Sequence, residues 1–455
     1  QARRSSIQTG CGPLLPLPPS SPSRVHTRVC HTRAQLGGQL AAGWRTMCGP
    51  TAAEGGEDGA KNAAGDPLLA LLNRASSDGA EFWRGLCPWL HVEDEGFRQA
   101  VRRSVWPYAE GDEALADQAD AWGERLVNEG YFIAQPEELS LPWAVDVAAV
   151  ARGVEALIAV GLPPSCILAY DEPWAMASQL DQLVRVVSGG SEPIMDWAAF
   201  HVRASPSSPP SSSSSAPAGW PPHRDRGSDD SVHAGFRSDG SPRYTTFWLP
   251  LTDATPESSC LMVVPKGKDP GYSEGDRGKS PLTTIFSTPE AFQHIRPLPT
   301  RAGGMVAFSH RLLHWGSAAD PRAPAPRIAV AFAAADPGLA EPYFSRSHLP
   351  FPSLGLRVAL VAGQALAYCS NEALVTTRGR TEAFWNFFHA QAVQFGPSFR
   401  SIVAKHRAFL EQTLPQAGSE EEGHSCKRVE EEAQEERVEE VVADGDVEDL
   451  FAGIL

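Results

Sequence analysis

"PRIAVAFAAAD", residues 326–336, has the period of two that predicts a β-strand. Successive side chains of a strand point to opposite faces, so this strand has one bulky apolar face and one face of small residues. The bulky face, typical of a packed core, consists of Ile328, Val330 and Phe332. The other face begins with Arg327 and continues with Ala329 and Ala331, which leave room beside the guanidinium. An arginine placed in this way suits a bound carboxylate, although an ordinary surface arginine at a strand start is the alternative.

The surrounding pattern predicts helices, then many short strands, then helices again. The further strand candidates are "YFIAQP" (131–136), "DWAAFHVRA" (196–204), "PRYTTFWLPLTD" (242–253), "SCLMVVP" (259–265) and "GGMVAFSH" (303–310). The helix candidates are residues 111–130, 141–164, 173–190, 354–369 and 381–395. This order predicts an α+β protein built on a β-sandwich.

The composition divides the chain into a folded middle and two unlike ends. We assign residues 1–66 to a disordered N-terminal region or transit peptide, 67–415 to one domain, and 416–455 to an acidic C-terminal tail. The serine- and proline-rich run 205–219 lies between two strand candidates. Its composition cannot bury a core, and loop closure entropy grows slowly with length, so we interpret it as an insertion in a surface connection.

Residues 1–46 contain six arginines and no acidic residue, and they precede the first methionine, Met47. This composition predicts an organelle transit peptide. The alternative is sequence upstream of a translation start at Met47. We therefore expect an intracellular protein, in the chloroplast or mitochondrion in the first case and cytoplasmic in the second.

Charge and composition exclude several classes of function. The net charge of −16 gives no electrostatic footprint for nucleic acid. No apolar run reaches the length of about 18 residues that a membrane span needs, so none is expected. The eight cysteines form no C-x-x-C pair, which argues against zinc-finger and thioredoxin sites and favours a reduced compartment.

The stretch "AGWPPHRDRG" (218–227) contains the best candidate for a metal site. If "PPHRD" opens a strand, His223 and Asp225 lie on the same face because they are two residues apart. The best third ligand is His314 in "FSHRLLHWGS". Two histidines and one carboxylate leave open positions and suit non-heme Fe(II) and O2. An H-x-D pair alone often occurs by chance, so the hypothesis depends on His314 and Arg327.

Four segments resemble the phytanoyl-CoA dioxygenase family of Fe(II)/2-oxoglutarate oxygenases. They are "WPPHRDRG", "YTTFWLPLTDATPESSCLMVVPKGKDPGY", "GGMVAFSHRLLHWGS" and "PRIAVAF". The resemblance covers roughly residues 115–335 and implies a double-stranded β-helix, a jelly-roll or cupin-like core flanked by helices. It implies that His223, Asp225 and His314 bind the metal and that Arg327 binds the far carboxylate of 2-oxoglutarate. The further candidates for contact with this co-substrate are Ser317, Thr246 and Trp248.

The chain also departs from the family pattern. Ser258-Ser259 replaces a common Asn-Gly turn, and "PKGK" (265–268) replaces "PGSH". The acid is kept as Asp225, whereas related halogenases have a small residue there, which favours hydroxylation. Of the other polar residues, His310 is expected to pack or cap rather than ligate, because it shares a strand face with apolar neighbours. Arg243 and Tyr244 are candidates for contact with the substrate or co-substrate.

The resemblance implies a dioxygenase that hydroxylates a small-molecule or lipid-like substrate and releases succinate and CO2. It would use Fe(II), 2-oxoglutarate and O2, with ascorbate in support. One alternative is a non-catalytic metal-binding jelly-roll protein that acts as a binding module. Another is a cupin-like dioxygenase that needs no 2-oxoglutarate. The sequence specifies neither the substrate nor the oligomeric state.

Overall fold

A computed structural model describes residues 66–103, 113–139, 143–203, 220–227, 230–368, 375 and 377–414. Three predictions fall outside these residues and stay predictions: the transit peptide, the serine- and proline-rich insertion and the acidic tail. Within the described ranges the protein mixes helices with two antiparallel sheets. None of the helices in these ranges is both long and apolar enough to cross a membrane.

Among the described residues, nine strands form the two sheets. In chain order they are β1 (Tyr131–Ala134), β2 (Glu192–Val202), β3 (Trp220–His223), β4 (Tyr244–Pro250), β5 (Leu261–Val264), β6 (Arg296–Leu298), β7 (Met305–Ser309), β8 (Leu313–Gly316) and β9 (Arg327–Ala335). The larger sheet has the order β1-β7-β4-β9-β2, and the smaller has the order β3-β8-β5-β6. The predicted strand 326–336 is therefore β9, near the middle of the larger sheet.

The helices precede, connect and follow the strands. They are α1 (Pro67–Asp78), α2 (Ala80–Leu86), α3 (Glu95–Arg103), α4 (Glu113–Glu129), α5 (Pro136–Leu139), α6 (Val147–Ala159), α7 (Asp171–Val187), α8 (Asp230–Ala234), α9 (Pro270–Glu274), α10 (Pro281–Ile285), α11 (Leu354–Ala367), α12 (Arg378–Ala390) and α13 (Pro397–Thr413). The predicted helix 141–164 begins later, at Val147, because Asp146 caps it by accepting from the Ala149 N–H.

The two faces of β9 belong to two different cores, as its alternation predicts. Ile328, Val330 and Phe332 pack in a large core that includes residues of α6, α7 and α11. Ala329 and Ala331 belong to a second core with residues from both sheets, which therefore lies between them. The Arg327 face of β9 thus looks into the space between the sheets.

One prediction about the metal segment is wrong in detail. Strand β3 ends at His223 instead of opening there, so Asp225 lies in the turn that follows. Two short strands, β6 and β8, were not predicted, because three or four residues give too few alternations to recognise. The direction of Asp225 therefore needs a different explanation from strand periodicity.

Candidate metal centre

Two histidines and one aspartate meet at the ends of neighbouring strands. His223 on β3 is the direct cross-strand partner of His314 on β8. Asp225 Oδ1 lies 3.7 Å from His223 Nε2 and 3.5 Å from His314 Nε2. One ligand atom from each of the three lies within 4.8 Å of the others, an arrangement that could hold a metal ion.

Backbone carbonyls orient both imidazoles toward the carboxylate. His223 Nδ1 lies 2.8 Å from the carbonyl oxygen of Pro221, and His314 Nδ1 lies 3.0 Å from that of Leu312. A neutral ring that donates from Nδ1 keeps a lone pair on Nε2, which is the usual state of a metal-binding histidine. The Trp220 indole N–H donates to His223 Nε2 at 3.1 Å, so a bound metal would replace this donor.

Thr246 on β4 orients Asp225. Its hydroxyl donates to Asp225 Oδ2 at 2.5 Å, which leaves Oδ1 facing the two histidines. Adjacent donors of an octahedral ion with bonds of about 2.1 Å lie about 3.0 Å apart. The two separations from Asp225 Oδ1 are somewhat wider, so a bound ion would draw the carboxylate and the imidazoles closer together. Two imidazoles and a carboxylate on one side of an ion leave the opposite side open.

Arg224, between the two ligand positions, is anchored on the opposite side of the chain. Its side chain is only 1% exposed and binds two carboxylates: Nη1 lies 2.6 Å from Asp269 Oδ2, and Nε lies 2.9 Å from Asp276 Oδ2. Arg311 also donates to Asp276, at 3.0 Å. Burial lowers the pKa of Arg224, but the hydrogen bonds and charges of the two carboxylates outweigh this and raise it above its usual value. These contacts hold the backbone from which the metal-site side chains extend.

Arg327 is a buried cation that forms no ion pair with any described residue. It is 2% exposed, and burial lowers its pKa from the ordinary arginine value to about 10. Its guanidinium carbon lies 5.6 Å from the Trp248 ring centroid and 5.8 Å from that of Phe200. Its Nε has no hydrogen-bond partner, and none of the described carboxylates forms an ion pair with it. Buried charges are normally paired, so this arginine is poised for an anion.

A glycine makes room for this guanidinium beside the metal site. Gly316 lies two residues after His314 on β8, hence on the same face of that strand. A Cβ at Gly316 would lie 3.2 Å from Arg327 Nη1 and 3.5 Å from Nη2. Arg327 therefore reaches from the larger sheet to the strand that carries His314.

The other predicted residues occupy varied positions. Trp248 contacts the Arg327 guanidinium with its ring, whereas Ser317 is half-buried just beyond β8, where its carbonyl accepts from the Ser259 hydroxyl. Arg243 was a candidate for the pocket but forms an ion pair with Asp336 at 2.8 Å. His310 is buried, packs on neighbouring aromatic rings and does not belong to the metal cluster, as predicted.

The family comparison covers the segment that carries the three donors. Residues 189–323 match the family model described as phytanoyl-CoA dioxygenase (PhyH). The predicted family is confirmed for this segment. The PhyH segment contains His223, Asp225 and His314 and ends just before Arg327. No curated protein matches the chain.

Solved structures show only distant similarity. The non-heme α-ketoglutarate-dependent epimerase SnoN from nogalamycin biosynthesis is 17% identical, with 48% of this chain and 81% of that chain covered and a TM-score of 0.33. AviO1 from Streptomyces viridochromogenes Tue57 is 17% identical, with 49% of this chain and 97% of that chain covered and a TM-score of 0.34. EctD from S. alaskensis with 2-oxoglutarate and 5-hydroxyectoine is 16% identical, with 55% of this chain and 84% of that chain covered and a TM-score of 0.34. At such low identities and scores, nothing about the chemistry of this chain follows from them.

Proposed function

We propose that the protein is a non-heme Fe(II)/2-oxoglutarate-dependent dioxygenase that hydroxylates a small-molecule substrate, and that its two sheets form a double-stranded β-helix. The PhyH match supports the reaction class. The observation that carries the proposal is the unpaired, buried Arg327, which reaches the same face of β8 as His314. A metal site and an anion site on facing strands suit a keto acid that chelates the metal at one end and binds a cation at the other.

The residues present fit both groups. His223, Asp225 and His314 would hold the metal through two imidazole nitrogens and one carboxylate oxygen. Arg327 would hold the far carboxylate of 2-oxoglutarate, and this would neutralise its buried charge. The fit depends on space as well as charge, since a side chain at Gly316 would press on the guanidinium.

The surrounding residues have separate roles in this arrangement. When bound, Fe(II) and 2-oxoglutarate together with O2 supply the oxidising power for hydroxylation, with succinate and CO2 as co-products. Thr246 fixes which oxygen of Asp225 faces the histidines. Trp248 and Phe200 cover the guanidinium with apolar rings, which excludes water and strengthens its attraction for a carboxylate.

Succinate release tests this function without knowledge of the substrate. Purified full-length protein with Fe(II), ascorbate and 2-oxoglutarate in air should form succinate slowly. Asp225→Ala should lose both iron binding and succinate formation, whereas Arg327→Ala should keep iron binding and need far more 2-oxoglutarate. Absence of succinate, together with unchanged iron binding in Asp225→Ala, would refute the proposal. Stoichiometric metal binding without any 2-oxoglutarate consumption would instead favour the non-catalytic alternative.

A further inference from the structure

A carboxyl group that forms no ion pair with the described residues lies on strand β2. Asp196 follows Met195, whose φ of +61° is a left-handed conformation that non-glycine residues rarely adopt. The register between β2 and β9 shifts here, between Pro193 and Trp197, which marks a β-bulge. Bulges redirect side chains, and strained backbone is often found at functional sites. Asp196 therefore lies in an irregular part of β2.

Neutral donors surround the Asp196 carboxylate. Tyr244 and Tyr368 donate their hydroxyls to Oδ2 at 3.2 and 3.3 Å, and the Gln364 amide donates to Oδ1 at 3.2 Å. Tyr343, which also hydrogen-bonds this carboxylate, lies 2.6 Å from Tyr368, hydroxyl to hydroxyl. None of the described Lys, Arg or His side chains forms an ion pair with Asp196. Burial raises the pKa of this carboxyl against the effect of the tyrosine hydroxyls.

This carboxylate belongs to the same space as the metal site. Tyr244 and Thr246 are two residues apart on β4 and so share a face, and Thr246 holds Asp225. Strand β9 separates β4 from β2, so the backbones that carry Thr246 and Asp196 lie about 10 Å apart, two strand spacings. On β9 the residue paired with Thr246 is Ala333, a small residue that is buried together with Tyr244. Asp196 itself is only partly buried, so the space admits solvent.

We propose that Asp196 binds a protonated amine, or a comparable cationic group, of the primary substrate, an inference that rests on the proposed dioxygenase function. A carboxylate satisfied only by neutral donors gains most from a cation, because buried charges are stabilised by pairing. Arg327 is comparable, because it is a buried cation that a bound carboxylate would neutralise. A substrate bound through its amine to Asp196 would place carbon atoms a few bonds away beside Asp225.

Residues beyond the PhyH segment complete this site. Tyr343, Gln364 and Tyr368 all follow residue 323, and the last two lie on or directly after α11. The metal donors lie within the family match, whereas most of the side chains around Asp196 do not. Recognition of the substrate thus depends on α11 and on the residues next to it in the chain.

Calorimetry with a matched set of probes tests the inference on the full-length protein loaded with Mn(II) and 2-oxoglutarate. The probes are 1-aminopentane and pentan-1-ol, which differ mainly in charge at neutral pH. Wild-type protein should bind the amine at least tenfold more tightly than the alcohol. Asp196→Asn, which keeps the shape of the side chain, should weaken amine binding about ten- to a hundredfold, the effect of losing a charge-assisted hydrogen bond, and leave the alcohol unchanged.

Two variants serve as controls. Asp78→Asn makes the same change at an exposed aspartate of α1 and should bind the amine as the wild type does. Tyr368→Phe removes one neutral donor but no charge and should change amine affinity by less than about threefold. Equal binding of amine and alcohol by the wild type would overturn the inference whether or not Asp196→Asn folds. Amine binding by a folded Asp196→Asn protein at wild-type affinity would also overturn it.

Succinate release separates this inference from the function on which it rests. Succinate formation from 2-oxoglutarate alone, combined with equal affinity for amine and alcohol, would refute only the role of Asp196. Selective, Asp196-dependent amine binding without succinate under any condition would refute the dioxygenase function and support the cation site.

Discussion

Replacing Arg327 by methionine should make the protein without metal or co-substrate more stable. Burial lowers the pKa of Arg327 from the ordinary arginine value to about 10. This difference corresponds to roughly 3 kcal/mol of destabilisation at neutral pH. Because the folded-state pKa lies below that of the unfolded chain, the unfolded chain binds the proton more tightly. The cost is therefore complete below about pH 10 and disappears as the pH rises from there toward the ordinary pKa of an arginine.

Part of this gain is offset by lost ring contacts. The guanidinium lies over Trp248 and Phe200, and such cation–π contacts contribute about 0.5 to 2 kcal/mol. Methionine preserves much of the side-chain volume, so little cavity forms. We expect the free energy of unfolding of Arg327→Met to exceed that of the wild type by about 1 to 2 kcal/mol. The variant should also lose the stabilisation by 2-oxoglutarate, about 3 kcal/mol for the wild type at a hundred times Kd.

Urea denaturation with and without Mn(II) and 2-oxoglutarate measures both effects. Arg98→Met is the matched control, because Arg98 lies over the Phe351 ring but has a carboxylate partner, Asp171, at 2.9 Å. That variant should lose about 1 to 3 kcal/mol. An Arg327→Met protein that is less stable than the wild type would show that the buried charge is not destabilising. One that 2-oxoglutarate still stabilises would show that Arg327 does not hold the co-substrate.

Three other substitutions test neighbouring parts of the site. Arg224→Met should lower the free energy of unfolding by about 3 to 5 kcal/mol, because it leaves two buried carboxylates without their main partner; urea denaturation measures this. Gly316→Ala should raise the Kd for 2-oxoglutarate at least tenfold while iron affinity stays unchanged, because the added methyl displaces the Arg327 guanidinium; calorimetry measures both. Thr246→Val should weaken iron binding about ten- to a hundredfold, because Asp225 loses the hydroxyl that orients it; anaerobic titration measures this.

Each of these predictions has a result that contradicts it. If Asp269→Asn does not restore part of the stability lost in Arg224→Met, unpaired charge is not the cause of the loss. A Gly316→Ala protein with weaker iron binding would show that the methyl disturbs His314 rather than the arginine. Thr246→Ser keeps the hydroxyl and should bind iron nearly as the wild type does, so equal losses in the two threonine variants would rule out the hydrogen bond.

The sequence alone could predict features that depend on local periodicity. The alternation along β9 correctly separated the core face from the face of Arg327, because strand geometry repeats every two residues. The direction of Asp225 could not be predicted in the same way, since β3 ends at His223 and Thr246, on another strand, holds the carboxylate. Contacts of that kind join distant parts of the chain and leave no local pattern.

Two groups were missed for the same reason. The local sequence around Arg224 predicts an ordinary exposed arginine. Its carboxylate partners, Asp269 and Asp276, lie 45 and 52 residues further along the chain. Asp196 was not a candidate because Tyr244, Gln364 and Tyr368, which donate to it, lie 48, 168 and 172 residues further along the chain. The departure at Ser258-Ser259 keeps the backbone conformation of the family turn. Ser259 adopts a φ of +68°, the conformation expected of the glycine that it replaces. Its hydroxyl donates to the Ser317 carbonyl.

The most direct test of the proposed metal and co-substrate sites is a crystal structure of the full-length protein grown anaerobically with Fe(II) and 2-oxoglutarate. We predict one metal ion bound by His223, Asp225 and His314, with the keto acid on its open side and the far carboxylate against Arg327. A metal bound elsewhere, or a co-substrate whose far carboxylate does not contact Arg327, would contradict it.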